Sequence, residues 1–185
     1  MRPRDNRNTK QGTRGRKAGF TLIELLVVVA IILIIAGIAI PNLLRSRMAA
    51  NEAAAVGNIR MIGTASVVYN STFSNGYPPS IATLGGTGST ATCDGALLIS
   101  RNLANPPSQQ SGYIFTYTGT DGNAPLGAGC GAPGFNGYLA YAVPLSEGIT
   151  GERSFCSDTP GVIHVDISGQ APADEIACDA LEVLQ

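Results

Sequence analysis

Between Phe20 and Ile40 the sequence runs for 21 residues that are apolar or small except at Thr21 and Glu24. As a helix, at about 1.5 Å per residue, the run reaches about 31 Å, the thickness of a bilayer's hydrocarbon core. Seven of the 12 basic residues (Arg2, Arg4, Arg7, Lys10, Arg14, Arg16 and Lys17) precede Gly19. Positive charge stays on the cytoplasmic side, so this segment is expected to enter with its N-terminus inside and to deliver the rest of the chain outside. A cleaved secretory signal has an apolar core of only about 7–15 residues. Here the run is longer, and Gly37-Ile38-Ala39-Ile40-Pro41 offers no good break before a helical continuation. Glu24 sets a second constraint. A carboxylate at mid-membrane costs about 2.5–3.5 kcal/mol, less near an interface, so an acid placed this early in an apolar run calls for a partner.

Pro41 has no amide hydrogen to give the carbonyl four residues back, and that carbonyl belongs to Gly37, itself a poor helix former. Gly37 and Pro41 therefore mark a weak point in the helix. Beyond it, Met48, Ala55, Ile59, Ile62, Ser66 and Tyr69 share one helical face, which predicts an amphipathic helix to about Tyr69 within a segment of residues 41–73. Arg45, Arg47, Glu52 and Arg60 lie off that stripe and read as solvated charges or as pairs between subunits.

Residues 74–185 are expected to form a head. The break at Phe73–Pro79 and the Gly, Ser and Thr loop at Gly85–Thr92 precede a short predicted helix at Asp94–Leu103. Alternation places Tyr113, Phe115 and Tyr117 on one strand face. Tyr138–Val143, Phe155 and Val162–Val165 complete a predicted antiparallel meander. The fold class is thus α+β, with a sheet laid on the second half of the long helix. About 110 residues make a small core that gains from covalent staples. Cys93, Cys130, Cys156 and Cys178 lie on the exported, oxidising side, where four cysteines allow three pairings.

Catalytic and cofactor signals are weak. His164, the single histidine, sits in a strand on the face of Val162 and Asp166 and reads as a surface or partly buried residue, with no nucleophile placed beside it. No C-x-x-C pair supports zinc. Gly129-Cys130-Gly131-Ala132-Pro133-Gly134 has the letters of a dinucleotide loop, but Pro133 and the lack of a following helix make it a plain loop. Asp174, Glu175 and Asp179 read as an exposed acidic tail ahead of a calcium site. Asn70-Ser71-Thr72 spells a glycosylation sequon. After Ser74 the only cations are Arg101 and Arg153, so no basic nucleic-acid surface is visible. The expectation is a non-enzymatic protein with no cofactor and no metal.

Lys17-Ala18-Gly19-Phe20-Thr21-Leu22-Ile23-Glu24 resembles the class III signal of type IV prepilins and pseudopilins. The resemblance implies that a membrane peptidase cuts after Gly19, removes a leader of residues 1–19 and methylates the new N-terminus at Phe20. It also implies that residues 20–40 stay as the membrane and filament-core helix, handled by an assembly platform in a bacterial inner membrane before the subunit reaches a surface pilus. Glu24 of an incoming subunit then meets the Phe20 amine of its neighbour in a homo-oligomeric filament. Such a cut leaves five basic and 12 acidic side chains of the original 12 and 13, turning a nearly neutral chain acidic. Gly151-Glu152-Arg153-Ser154-Phe155 with Gly161-Val162-Ile163-His164 is similar to the last strands of some major pilins. Pairing Cys93 with Cys130 and Cys156 with Cys178 is favoured; the second bond would close a C-terminal loop as in pilins that have one. Adhesion, motility or DNA uptake by a pilus is the implied function. The alternative is a type II secretion pseudopilin, whose major form usually carries an Asp-Pro-Trp-Gly-like stretch, and this chain has no Trp.

Overall fold

A computed structural model describes residues 19–159 and 161–184, so the leader assigned to residues 1–19 lies, apart from Gly19, outside the described residues. The chain divides after Pro41 into two compact units. In the first, helix α1 (Leu22–Phe73, which continues into the second) exposes its large apolar side chains; Leu33, Ile34 and Ile38 are each about two-thirds exposed. By length and composition α1 can cross a membrane. Pro41 lies inside the helix without ending it.

The second unit holds the core. Ala55, Ile59, Ile62, Ala65, Ser66 and Tyr69 form the buried stripe of α1, and Met48 at its upper end is only half-buried. They pack on Tyr113, Phe115, Tyr117, Tyr138, Ala140, Ala142 and Phe155. Burial of each large side chain contributes about 1.5–3 kcal/mol.

Those partners come from a six-stranded antiparallel meander in strict chain order: β1 (Gln109–Gln110), β2 (Tyr113–Gly122), β3 (Phe135–Pro144), β4 (Ser154–Asp158), β5 (Ile163–Asp166) and β6 (Glu182–Val183). β2 and β3 pair from Tyr113↔Pro144 to Gly122↔Phe135, and Cys156 of β4 stands opposite His164 of β5. In β2 the residues facing α1 are buried and those between them are not, as alternation predicts. β4 is buried on both faces. Its second face carries a smaller cluster of Leu139, Cys156 and Cys178, covered by Tyr141 and Leu181 and by helix α4 (Glu175–Asp179). The bonds Cys93–Cys130 and Cys156–Cys178 staple the head.

The helix expected at Asp94–Leu103 does not form as drawn. Only α3 (Arg101–Ala104) is helical there, alongside a turn, α2 (Ile81–Leu84), that the sequence did not signal. The amides of Ala96, Leu97, Leu98 and Ile99 instead donate to the carbonyls of Thr83, Gly85 and Leu84, which satisfies them without a helix. The backbones of Gly86 and Gly95 meet so closely that a Cβ on Gly86 would stand 2.9 Å from the Gly95 Cα.

Candidate processing and assembly site

Residues 19–24 are open to their surroundings: Phe20 is 90% exposed, and nothing lies within 4 Å of where a Gly19 side chain would start. Thr21 and Glu24 close the first turn of α1 reciprocally. The Glu24 amide donates to Thr21 Oγ1 at 3.2 Å, while Glu24 Oε2 accepts from the Thr21 amide at 2.9 Å and from its hydroxyl at 2.8 Å. This is a capping box, which satisfies amides that a helix start leaves without partners. The spacing Thr-x-x-Glu is its sequence signature, which the counter-ion reading of Glu24 had passed over. Both donors converge on Oε2. Among the described residues Oε1 accepts no hydrogen bond, and this leaves one carboxylate oxygen for a partner outside the chain.

Other charged positions resolve differently. Arg45, Arg47 and Arg60 are exposed, but Glu52 is buried and paired within the chain. Its carboxylate accepts from the amides of Glu152 and Arg153 and from the Arg153 guanidinium. The reading of Glu52 as solvated or as an intersubunit partner is therefore corrected; the helix period placed it off the stripe, but the stripe is wider than the apolar residues alone. Burial pushes the Glu52 pKa up, and the Glu152 amide, the Arg153 hydrogen bond and charge, and the Arg153 amide together hold it below the ordinary glutamate range.

The acidic tail splits among separate partners. Asp174 caps α4 by accepting the Ala177 amide at 2.8 Å, and Glu175 accepts the Thr120 hydroxyl at 2.5 Å. Asp179 lies 3.7 Å from His164 Nε2. His164 is buried, more so than a surface or partly buried strand residue would be. No hydroxyl or thiol hydrogen-bonds to it among the described residues. Asp158, which the sequence did not single out, is 1% exposed and faces the same region. Its burial and the nearby Asp179 carboxylate push its pKa up to about 6, against the pull of His164.

A long capped apolar helix of membrane-spanning length and a disulfide-stapled antiparallel head make an architecture of the pilin type. Residues 14–40 match the family described as the prokaryotic N-terminal methylation motif. The chain is 65% identical over 34 residues to the type IV wide pilus major component PilA4 of Thermus thermophilus, a stretch covering 18% of this chain and 26% of that protein. It is 48% identical over 50 residues to the type IV major pilin protein PilA of Myxococcus xanthus, covering 27% of this chain and 23% of the relative. The match thus spans about a quarter of the length of these curated relatives. No solved structure matches the chain.

Proposed function

We propose that this chain is the structural subunit of a type IV pilus: cut after Gly19 by a prepilin peptidase, methylated at Phe20, and polymerised through residues 20–40. Residues 1–19 act as the leader, and residues 41–73 and 74–185 carry the helix into a surface head. The observation that carries this reading is the sequence Lys17 to Glu24 at the start of an apolar helix whose large apolar side chains stay exposed as far as Leu44. Exposed apolar surface on this scale marks a site of membrane insertion or protein association. Bilayer and filament interior are two successive environments for the same surface, and the cytoplasmic leader orients insertion in the inner membrane before extraction by an assembly platform.

Cleavage creates a cationic amine on Phe20 that is costly to leave unpaired in an apolar interior. The free Oε1 of Glu24 is the complementary charge, which sets helix register between neighbours. Gly37 and Pro41 supply a place where the helix yields as subunits pack.

Mass spectrometry of the mature N-terminus tests the proposal. The expected product begins at N-methylated Phe20 and lacks residues 1–19; any other start overturns the processing. Deletion of the gene should abolish surface filaments. A strain that keeps its filaments and loses its secreted proteins would assign the chain to a secretion pseudopilus.

A further inference from the structure

On the sheet face turned away from α1, the β4–β5 register brings together residues far apart in role. Cys156 stands opposite His164, which sets Asp158 diagonally across from His164 on that face. The disulfide Cys156–Cys178 draws α4 over them, and with it Asp179. One ligand-type atom from each of Asp158, His164 and Asp179 lies within 4.8 Å of the others.

We propose that Asp158, His164 and Asp179 bind a divalent metal ion of the zinc class. The tautomer of His164 supports this first. Its Nδ1 lies 3.0 Å from the Leu181 carbonyl oxygen, and a carbonyl can only accept, so Nδ1 carries the hydrogen. Nε2 is then the nitrogen that faces Asp179 Oδ1, at 3.7 Å, too long for a hydrogen bond, and in the neutral ring it is the one that offers a lone pair to a metal. An imidazole fixed by a backbone carbonyl with its other nitrogen free is the usual arrangement of a metal-binding histidine.

Asp158 provides the second, independent sign. It is almost wholly buried, yet its Oδ1 has no hydrogen-bond partner. A buried carboxylate oxygen without a donor is costly, and a second carboxylate beside it adds repulsion. Neither acid pairs with Lys or Arg among the described residues. A dication balances both charges and gives the orphan oxygen its partner.

The donor set selects the class. Calcium takes six to eight oxygens, whereas one imidazole with two carboxylates suits zinc, with a fourth position for water. Bonds of about 2.0–2.2 Å around a tetrahedral ion place ligand atoms about 3.4 Å apart. His164 Nε2 and Asp179 Oδ1, 3.7 Å apart, are already near that spacing, and the Asp179 side chain, 62% exposed, has room to adjust. Thiols do not compete, since all four cysteines are in disulfides. The ion would clamp α4 to β4 and β5 beside the Cys156–Cys178 bond. Such an ion would staple the head whether or not the chain assembles into a pilus.

The test uses the full chain in detergent, without a polyhistidine tag and stripped with EDTA. ZnCl2 and CaCl2 are titrated by calorimetry, while the imidazole resonance of His164, the single histidine, is followed by NMR. The expected result is saturable binding of one zinc, a shift of that resonance, and a higher unfolding temperature with zinc. Asp179→Asn, at an exposed position, should keep the fold and weaken zinc binding more than about 10-fold; His164→Gln should weaken it further. The proposal is overturned by absence of saturable zinc heat, by an unmoved His164 resonance, or by Asp179→Asn binding zinc as the parent does. Tighter binding of CaCl2 than of ZnCl2 would overturn the metal class.

Discussion

Glu52 in α1 and Arg153 at the entrance of β4 are joined through two hydrogen bonds to one oxygen, from Nη2 at 2.6 Å and from Nε at 3.0 Å to Oε2. The other oxygen accepts the amides of Glu152 and Arg153 at 3.0 and 3.3 Å. One carboxylate thus ties the helix to a loop about a hundred residues later in the chain.

Its removal should be felt unequally from the two sides. Glu52→Ala loses every one of these contacts and should lower stability by about 2–3 kcal/mol, the scale of hydrogen bonds to charged groups. Arg153→Ala leaves the two amide contacts, and the guanidinium is half-exposed, so about 1 kcal/mol is expected. Urea unfolding of the solubilised chain, followed by tyrosine fluorescence, measures both. Equal losses would mean that the amides contribute nothing.

The same carboxylate makes stability depend on pH with a definite sign. Its folded pKa lies below the unfolded value of 4.5, so the folded state holds the ionised form. The stabilisation is full above about pH 4.5 and is lost as pH falls through the folded pKa. The parent should therefore lose stability below pH 4.5 more steeply than Glu52→Gln. Parallel melting curves for the two proteins from pH 6 to pH 3 would contradict this.

Two buried tyrosines should respond differently to loss of their hydroxyls. Tyr69 donates to the Cys93 carbonyl at 2.9 Å, and Tyr69→Phe should cost about 1 kcal/mol. Tyr117 has a buried hydroxyl with no partner, and nearby Ser66 donates to the Ile62 carbonyl. Tyr117→Phe should leave stability unchanged or raise it by about 1 kcal/mol, because it removes an unsatisfied polar group. Denaturant midpoints of the two variants settle the order.

The disulfides should differ in access. Cys156 and Cys178 have no exposed surface, whereas Cys93 retains a little and Cys130 is half-buried. With dithiothreitol and an alkylating agent under native conditions, peptide mapping should find Cys93 and Cys130 labelled first and Cys156 and Cys178 only after unfolding. Replacing either pair by alanine should cost about 3 kcal/mol, since each closes a loop of a few tens of residues.

At the N-terminus, charge and capping can be separated. Gln at the third helical position still closes a capping box, so Glu24→Gln keeps the helix start and deletes the counter-charge. Thr21→Ala does the reverse at a cost of about 1 kcal/mol. Both variants should be cleaved. Filament yield should collapse in Glu24→Gln and survive in Thr21→Ala; normal filaments from Glu24→Gln would refute the ion pair.

Local features of the chain were legible without coordinates. The apolar run, the Lys17–Glu24 signal and the stripe from Ala55 to Tyr69 depend on neighbours in sequence or on a helical repeat, so composition and period suffice to find them. The strands of Tyr113, Tyr138, Phe155 and Val165 were legible for the same reason, as was the meander, because hairpin neighbours pair in chain order. The predicted pairing of Cys93 with Cys130 and of Cys156 with Cys178 is the pairing the structure contains.

The sequence by itself thus determined an α+β chain with an apolar N-terminal helix of membrane-spanning length, and it holds the Thr-x-x-Glu letters of that helix's cap. Only the tertiary structure decided which polar groups lie inside. Asp94–Ser100 had the composition of a helix, but its amides found the carbonyls of Thr83, Leu84 and Gly85 first. Glu52 looked solvated until Arg153 and the Glu152 amide reached it. Asp158 and His164 meet Asp179 only because strand register and a disulfide bring them to one face. Periodicity reports which face of an element a residue occupies. What covers that face is set by contacts between distant segments, and no local pattern records it.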